Sequence, residues 1–200
     1  MSKESLPYVI VFTFIVAFAF VFVIAFADGV TAERVAQNQK LVATRAFLNA
    51  VGYLEDEPSE ELAEFAAEFG EVDDESIIRT KVGGRDILIK RFSGQALWGT
   101  VSGVIAVDES VSEIIGFEII SQNETPGLGG RIEESWFTQQ FRGETIPPEG
   151  IIVAKGEGKP PDYDTDNGSI DGITGASLTS ARIEKIVNSE ISQLRKETAR

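Results

Sequence analysis

Four hydroxyl side chains crowd one short stretch: Thr174, Ser177, Thr179 and Ser180, with Gly175 and Ala176 between them. A hydroxyl beside backbone that carries almost no side chain can hydrogen-bond a phosphate or be esterified by one. The flanks say where the stretch sits. Upstream, Pro160 to Gly168 is dense in turn formers. Downstream, Leu178, Ile183, Ile186, Val187, Ile191 and Leu194 recur at helical spacing and make one apolar stripe. The spacing therefore predicts a helix starting at or just after Thr174 to Ser180. Backbone N–H groups there lack intrahelical partners, and the helix dipole favours an anion. The same residues also describe an ordinary Ser/Thr N-cap after a turn.

A second stretch, Glu124-Thr125-Pro126-Gly127-Leu128-Gly129-Gly130, reads as a loop, turned by Pro126-Gly127 and freed again by the Gly pair. By composition alone it is a long hairpin connection with Leu128 tucked in. Lys155, at the end of a short apolar run, is placed either to offset a phosphate or simply to face solvent.

Composition removes many alternatives. The 200 residues carry 32 acidic and 18 basic side chains, a formal charge of −14, with no Cys and no His. Nucleic acid is disfavoured, because neutralising phosphates needs clustered Lys and Arg. Thiol catalysis, disulfides, Cys/His metal sites and the usual general base are all missing. Redox chemistry on this chain needs an organic cofactor. A Gly-x-Gly-x-x-Gly turn between strand and helix is absent, so dinucleotide binding is not indicated.

The elements that must position these residues begin with an anchor. Tyr8 to Ala27 is uncharged and almost wholly apolar, and about 20 such residues span a bilayer as a helix. A cleavable signal is the competing reading, given Ala25-Phe26-Ala27. Asp28 to Val51 has loosely helical apolar spacing and continues that helix towards Gly52. Glu55 to Glu75 holds eleven acidic residues and no basic one. It lacks the loop spacing of a calcium-binding hand and reads as a solvated acidic face on a short helix. Ile77 to Val107 predicts strands, with a hairpin at Lys81-Val82-Gly83-Gly84-Arg85 and a strand from Gln95 in which Leu97, Val101, Ile105 and Val107 share a face. There Gly99 and Gly103 would let the final helix approach. A further strand covers Val111 to Ile120. A helix over Ile132 to Phe141 carries Trp136, a candidate for stacking on a ring but by type a core aromatic. A short strand covers Gly150 to Ala154.

Asp171-Gly172-Ile173-Thr174-Gly175-Ala176-Ser177 resembles the flavinylation motif Asp-x-x-(Ser/Thr)-Gly-Ala-(Ser/Thr) of the FMN-binding domain shared by the RnfG and NqrC subunits of ion-translocating redox complexes. Glu124-Thr125-Pro126-Gly127-Leu128-Gly129 and Leu97-Trp98-Gly99 are similar to that family as well. The resemblance implies FMN joined by its phosphate to Ser177, by a flavin transferase, with Asp171, Thr174, Gly175 and Ala176 as the motif. The family's acceptor is usually Thr; Ser177 keeps the hydroxyl and loses a methyl. Leu178 and Thr179, with Glu124, Thr125, Gly127 and Leu128 beside the flavin, and Lys155, complete the cofactor-binding set. No catalytic residue and no metal site is assigned.

The expected fold is α+β: a single N-terminal transmembrane helix, then one extracytoplasmic domain with an antiparallel sheet flanked by helices. The expected boundaries are a cytoplasmic tail over 1–7, the span over 8–27, a helical and acidic linker over 28–75 packed on the domain, and the FMN-binding domain over 76–200. The function implied is electron transfer through covalent FMN in the cell (inner) membrane, beside other membrane subunits of an Rnf- or Nqr-type complex. A free-standing anchored flavoprotein and a non-redox binding module with a vestigial motif remain the alternatives.

Overall fold

The computed structural model describes residues 5–52, 76–155 and 161–199. The acidic stretch Glu55 to Glu75 lies outside the described residues. The chain divides into two compact units, Met1–Leu41 and Val42–Arg200.

The first unit holds α1 (Leu6–Ala50) as far as Leu41, including its apolar part; α1 is the one helix among the described residues long and apolar enough to cross a membrane. No Pro or Gly pair interrupts it, so the apolar stretch and the segment from Asp28 to Ala50 form one helix, with Val51 in the turn that follows. Phe14, Phe18, Phe22 and Phe26 stack in sequence along it, with successive ring centroids 6.3 Å apart, as residues four apart on a helix must.

The second unit is built on an antiparallel meander: β1 (Ile77–Val82), β2 (Arg85–Gln95), β3 (Thr100–Asp108) and β4 (Ile114–Ser121), in that spatial order. Alternation along β2 decides what each face meets. Ile87 and Ile89, with Val104 and Ala106, take Ala46, Phe47 and Ala50 from the end of α1. Leu88 and Phe92, with Val101, Ile105, Ile114 and Phe117, take the closing helix α3 (Ser177–Thr198) through Ile183, Ile186, Val187, Ile191 and Leu194. Lys90 also points to the α3 side, is 3 % exposed, and is ion-paired with Glu190, with Gln193 Oε1 at 2.6 Å. Between β4 and α3 lie a 3-10 turn (Gly129–Glu133), α2 (Ser135–Thr138), a second 3-10 turn (Gln139–Phe141), and a small parallel pair, β5 (Ile152–Ala154) with β6 (Ser169–Asp171). The α+β expectation holds.

Four local expectations change. The strand expected from Gln95 is interrupted: Ala96 to Gly99 is a turn closed by Ala96 N–H donating to Gly99 O at 2.9 Å. Leu97 therefore leaves the sheet face that Val101, Ile105 and Val107 share. Gly103 makes room for the Phe92 ring and Glu118 O, not for the final helix; Gly94 is the glycine under α3, against Ile186. The strand expected from Val111 begins at Ile114, because the Asp108 carboxylate holds a loop by accepting from Ser112 N and Glu113 N at 2.7 Å each. The helix expected over Ile132 to Phe141 is broken at Glu134, which is extended (φ −70°, ψ 138°). Ile132 and Phe137 are both buried, and a spacing of five places them on different helix faces. Only a break lets both enter the core.

Candidate functional site

The hydroxyl-rich stretch is held from behind. The buried Gln140 side chain acts like a short neighbouring strand: Oε1 accepts from Asp171 N at 2.9 Å and Asp162 N at 3.2 Å, and Nε2 donates to Asp171 O at 3.3 Å. The Asp171 carboxylate also accepts from Asp162 N, at 3.1 Å. Asp171 thus braces the loop that precedes the turn.

The turn itself needs its small residues. Ala176 N–H donates to Ile173 O at 3.0 Å, and Gly175 sits at φ +84°, where a side chain is strained. α3 then starts at Ser177. Its N-cap is Ala176, which has no side chain able to cap, so the ordinary Ser/Thr N-cap does not describe this helix. The hydroxyls divide sharply. Thr179 and Ser180 are 1 % and 3 % exposed and committed. Thr179 donates to Glu124 Oε2 at 2.6 Å; Ser180 accepts from Ile173 N at 3.0 Å and donates to Ala176 O at 3.1 Å. Ser177 and Thr174 are exposed, but only Ser177 opens onto a cleft.

That cleft is about 340 Å³ and is lined by three segments: Leu97 and Trp98; Glu124, Thr125, Leu128 and Gly129; and Gly175 to Thr179. Of the residues selected from sequence, it gathers Glu124, Thr125, Leu128, Gly175, Ala176, Ser177, Leu178 and Thr179. Asp171, Thr174, Gly127 and Lys155 are not in its lining. Gly127 is the left-handed corner of the loop (φ +73°), and Lys155 is exposed at the end of β5. Trp136 is elsewhere, half-buried against the core with the Arg131 guanidinium 5.1 Å from its ring. Sequence reasoning missed Leu97, Trp98 and Gly129 as cleft residues. The signal for the first two is a large aromatic beside a glycine, within a run whose alternation points to a strand.

The lining suits a flat ring with a phosphate tail. Leu97, Trp98, Leu128 and Leu178 give exposed apolar surface, the volume is in the range of small-cofactor sites, and the uncapped start of a 22-residue helix offers N–H donors to an anion.

Residues 97–192 match the family described as the FMN-binding domain. That domain is similar to the RnfG/NqrC-type FMN-binding subunits. FMN is the cofactor of this RnfG/NqrC-type domain. Similar proteins include the NqrC subunit of the Na(+)-translocating NADH-quinone reductase of Pseudomonas aeruginosa, 29 % identical over 110 residues, covering 53 % of this chain and 42 % of the relative. The corresponding Vibrio vulnificus protein is 30 % identical over 150 residues, covering 68 % of this chain and 57 % of the relative. The chain thus spans about half the length of these relatives. The crystal structure of the corresponding protein from Parabacteroides distasonis shares the fold, with a TM-score of 0.63 at 23 % identity, over 84 % of this chain and 97 % of that one.

Proposed function

We propose that the chain is a membrane-anchored electron carrier of an Rnf- or Nqr-type complex, with FMN held as a phosphoester on Ser177. The observation that carries this reading is the placement of Ser177. Of the two exposed hydroxyl residues lining the cleft, Thr125 lies in the loop after β4, whereas Ser177 is the first residue of an uncapped helix, where both motifs meet. Ester formation joins Ser177 Oγ to phosphorus, breaks the bond from phosphorus to the donor's leaving group, and releases the hydroxyl proton. The chain has no His, and among the described residues the one titratable group lining the cleft, Glu124, has both oxygens engaged. A general base must come from outside, which supports a flavin transferase as maturation partner. Once bound, FMN would supply the redox chemistry, with Leu97, Trp98, Leu128 and Leu178 as the apolar surface that would hold its ring.

The anchor is the apolar half of α1, with the short N-terminus in the cytoplasm and the flavin domain outside it. A covalent link has a physical use there. Outside the cytoplasm a released flavin is diluted, whereas a tether makes rebinding intramolecular. Its electron partners are the other membrane subunits of the complex.

The test is intact mass of the protein co-expressed with a flavin transferase, beside Ser177→Ala and Ser177→Thr. The expected result is one added FMN ester on the wild type and on the Thr variant, and none on the Ala variant. Modification that survives in Ser177→Ala would overturn the assignment.

A further inference from the structure

Glu124 is 4 % exposed, and its carboxylate is held by two neutral donors from opposite walls of the cleft. Trp98 N–H donates to Oε1 at 2.7 Å, and Thr179 Oγ1 donates to Oε2 at 2.6 Å. The first donor belongs to the turn between β2 and β3. The second is on the first turn of α3, two residues after Ser177. Glu124 itself is fixed where β4 ends, its N–H donating to Gln122 Oε1 at 2.6 Å. One side chain therefore ties three segments that are distant in sequence. Hydrogen bonds to a carboxylate are stronger and more directional than neutral ones, and the N-terminal end of α3 favours the negative charge. Gly129 leaves the space: a Cβ there would lie 2.6 Å from Thr179 Oγ1 and 2.8 Å from Glu124 Oε2.

We propose that Glu124 is a positioning residue, which fixes Ser177 and Trp98 relative to each other by clamping the first turn of α3 to the β2–β3 turn. The inference deepens the reading of Ser177 as the ester site and rests on it for its second readout only. Loss of the clamp leaves Trp98 N–H and Thr179 Oγ1 without their acceptor and lets the walls move independently. A displacement of about 1 Å at a reacting hydroxyl is enough to slow a reaction by up to about a hundredfold.

The test uses the full chain in detergent with Glu124→Ala, Glu124→Gln and, as a stability control, Ile183→Val in the buried stripe of α3. Gln at 124 can still accept from Trp98 N–H, while its amide donates to a rotated Thr179 hydroxyl. The first readout needs no flavin: amide hydrogen exchange at Trp98 and at 177–180. The second is the rate of Ser177 esterification by a transferase. We expect Glu124→Ala to speed Trp98 exchange and to slow esterification by about tenfold each, Glu124→Gln to stay within about threefold of wild type, and Ile183→Val to change neither selectively. Equal exchange at Trp98 in Glu124→Ala and Ile183→Val refutes the clamp, as does an unchanged esterification rate. Selective loosening at Trp98 in a protein whose wild type takes no flavin would keep the clamp and remove the ester reading instead.

Discussion

Three glycines in one loop give a graded prediction, because each is glycine for a different reason. At Gly129 a methyl group would meet Thr179 Oγ1 at 2.6 Å and Glu124 Oε2 at 2.8 Å. Relief requires the carboxylate or the hydroxyl to move, which breaks their bond. Overpacking costs about 1–3 kcal/mol, and a hydrogen bond to a charged group is worth about 1.5–3 kcal/mol. The reduced freedom of the unfolded chain returns about 0.4–1 kcal/mol. Gly129→Ala should therefore destabilise by about 1.5–5.5 kcal/mol. At Gly127 the space is open, but φ is +73°, so Ala costs about 1 kcal/mol of backbone strain. At Gly130 the nearest atoms are 3.3 Å from the added carbon, and small shifts should hold the cost under about 1 kcal/mol. Urea unfolding followed by tryptophan fluorescence measures all three. The order Gly129 > Gly127 > Gly130 is expected. A Gly129→Ala protein no less stable than Gly130→Ala would show that the Glu124–Thr179 contact is not tight, and the reasoning about the cleft would fall with it.

Other perturbations test the scaffold. Lys90→Met leaves Glu190 buried without its cation and should cost about 3–5 kcal/mol by urea unfolding; a loss below about 1 kcal/mol would mean the pair is solvated. Burial pushes Glu118 up to about 7 from its ordinary 4.5, against the opposing pull of Arg142. Between those values the folded chain keeps a proton that the unfolded chain has lost, so stability falls as pH rises through that window. The half-exposed site discounts the effect to on the order of 1 kcal/mol. Glu118→Gln should flatten stability between about pH 4.5 and 7, and an unchanged slope would show that Glu118 titrates normally. Gln140→Leu removes the acceptor shared by Asp171 N–H and Asp162 N–H and should cost about 1–3 kcal/mol, while slowing esterification of Ser177. Loss of stability with an unaltered rate would separate that brace from the acceptor turn.

Several features were legible in the residues alone because they depend on local pattern. The twenty uncharged, almost wholly apolar residues from Tyr8 to Ala27 specify a helix able to span a bilayer wherever the rest of the chain goes. The stripe from Ile183 to Leu194 fixed one face of α3, though Leu178, which the spacing adds to it, is exposed and lines the cleft; the small residues Gly175 and Ala176 marked the start of the helix. The pair Gly83-Gly84 between apolar runs specified the first hairpin. Each of these is decided by neighbours within a few turns of chain.

Contacts between distant segments were not legible. Periodicity carried a strand through Leu97, because nothing nearby in sequence says that Trp98 N–H will turn towards a carboxylate 26 residues on. The helix over Ile132 to Phe141 read as continuous until two buried side chains five apart had to share one core. Glu124, Gly129, Thr179 and Ser177 appear in sequence as members of two separate motifs. Only packing of the loop after β4, residues 124–129, against the first turn of α3 makes them one cleft, since a buried carboxylate has to find donors wherever the tertiary packing supplies them.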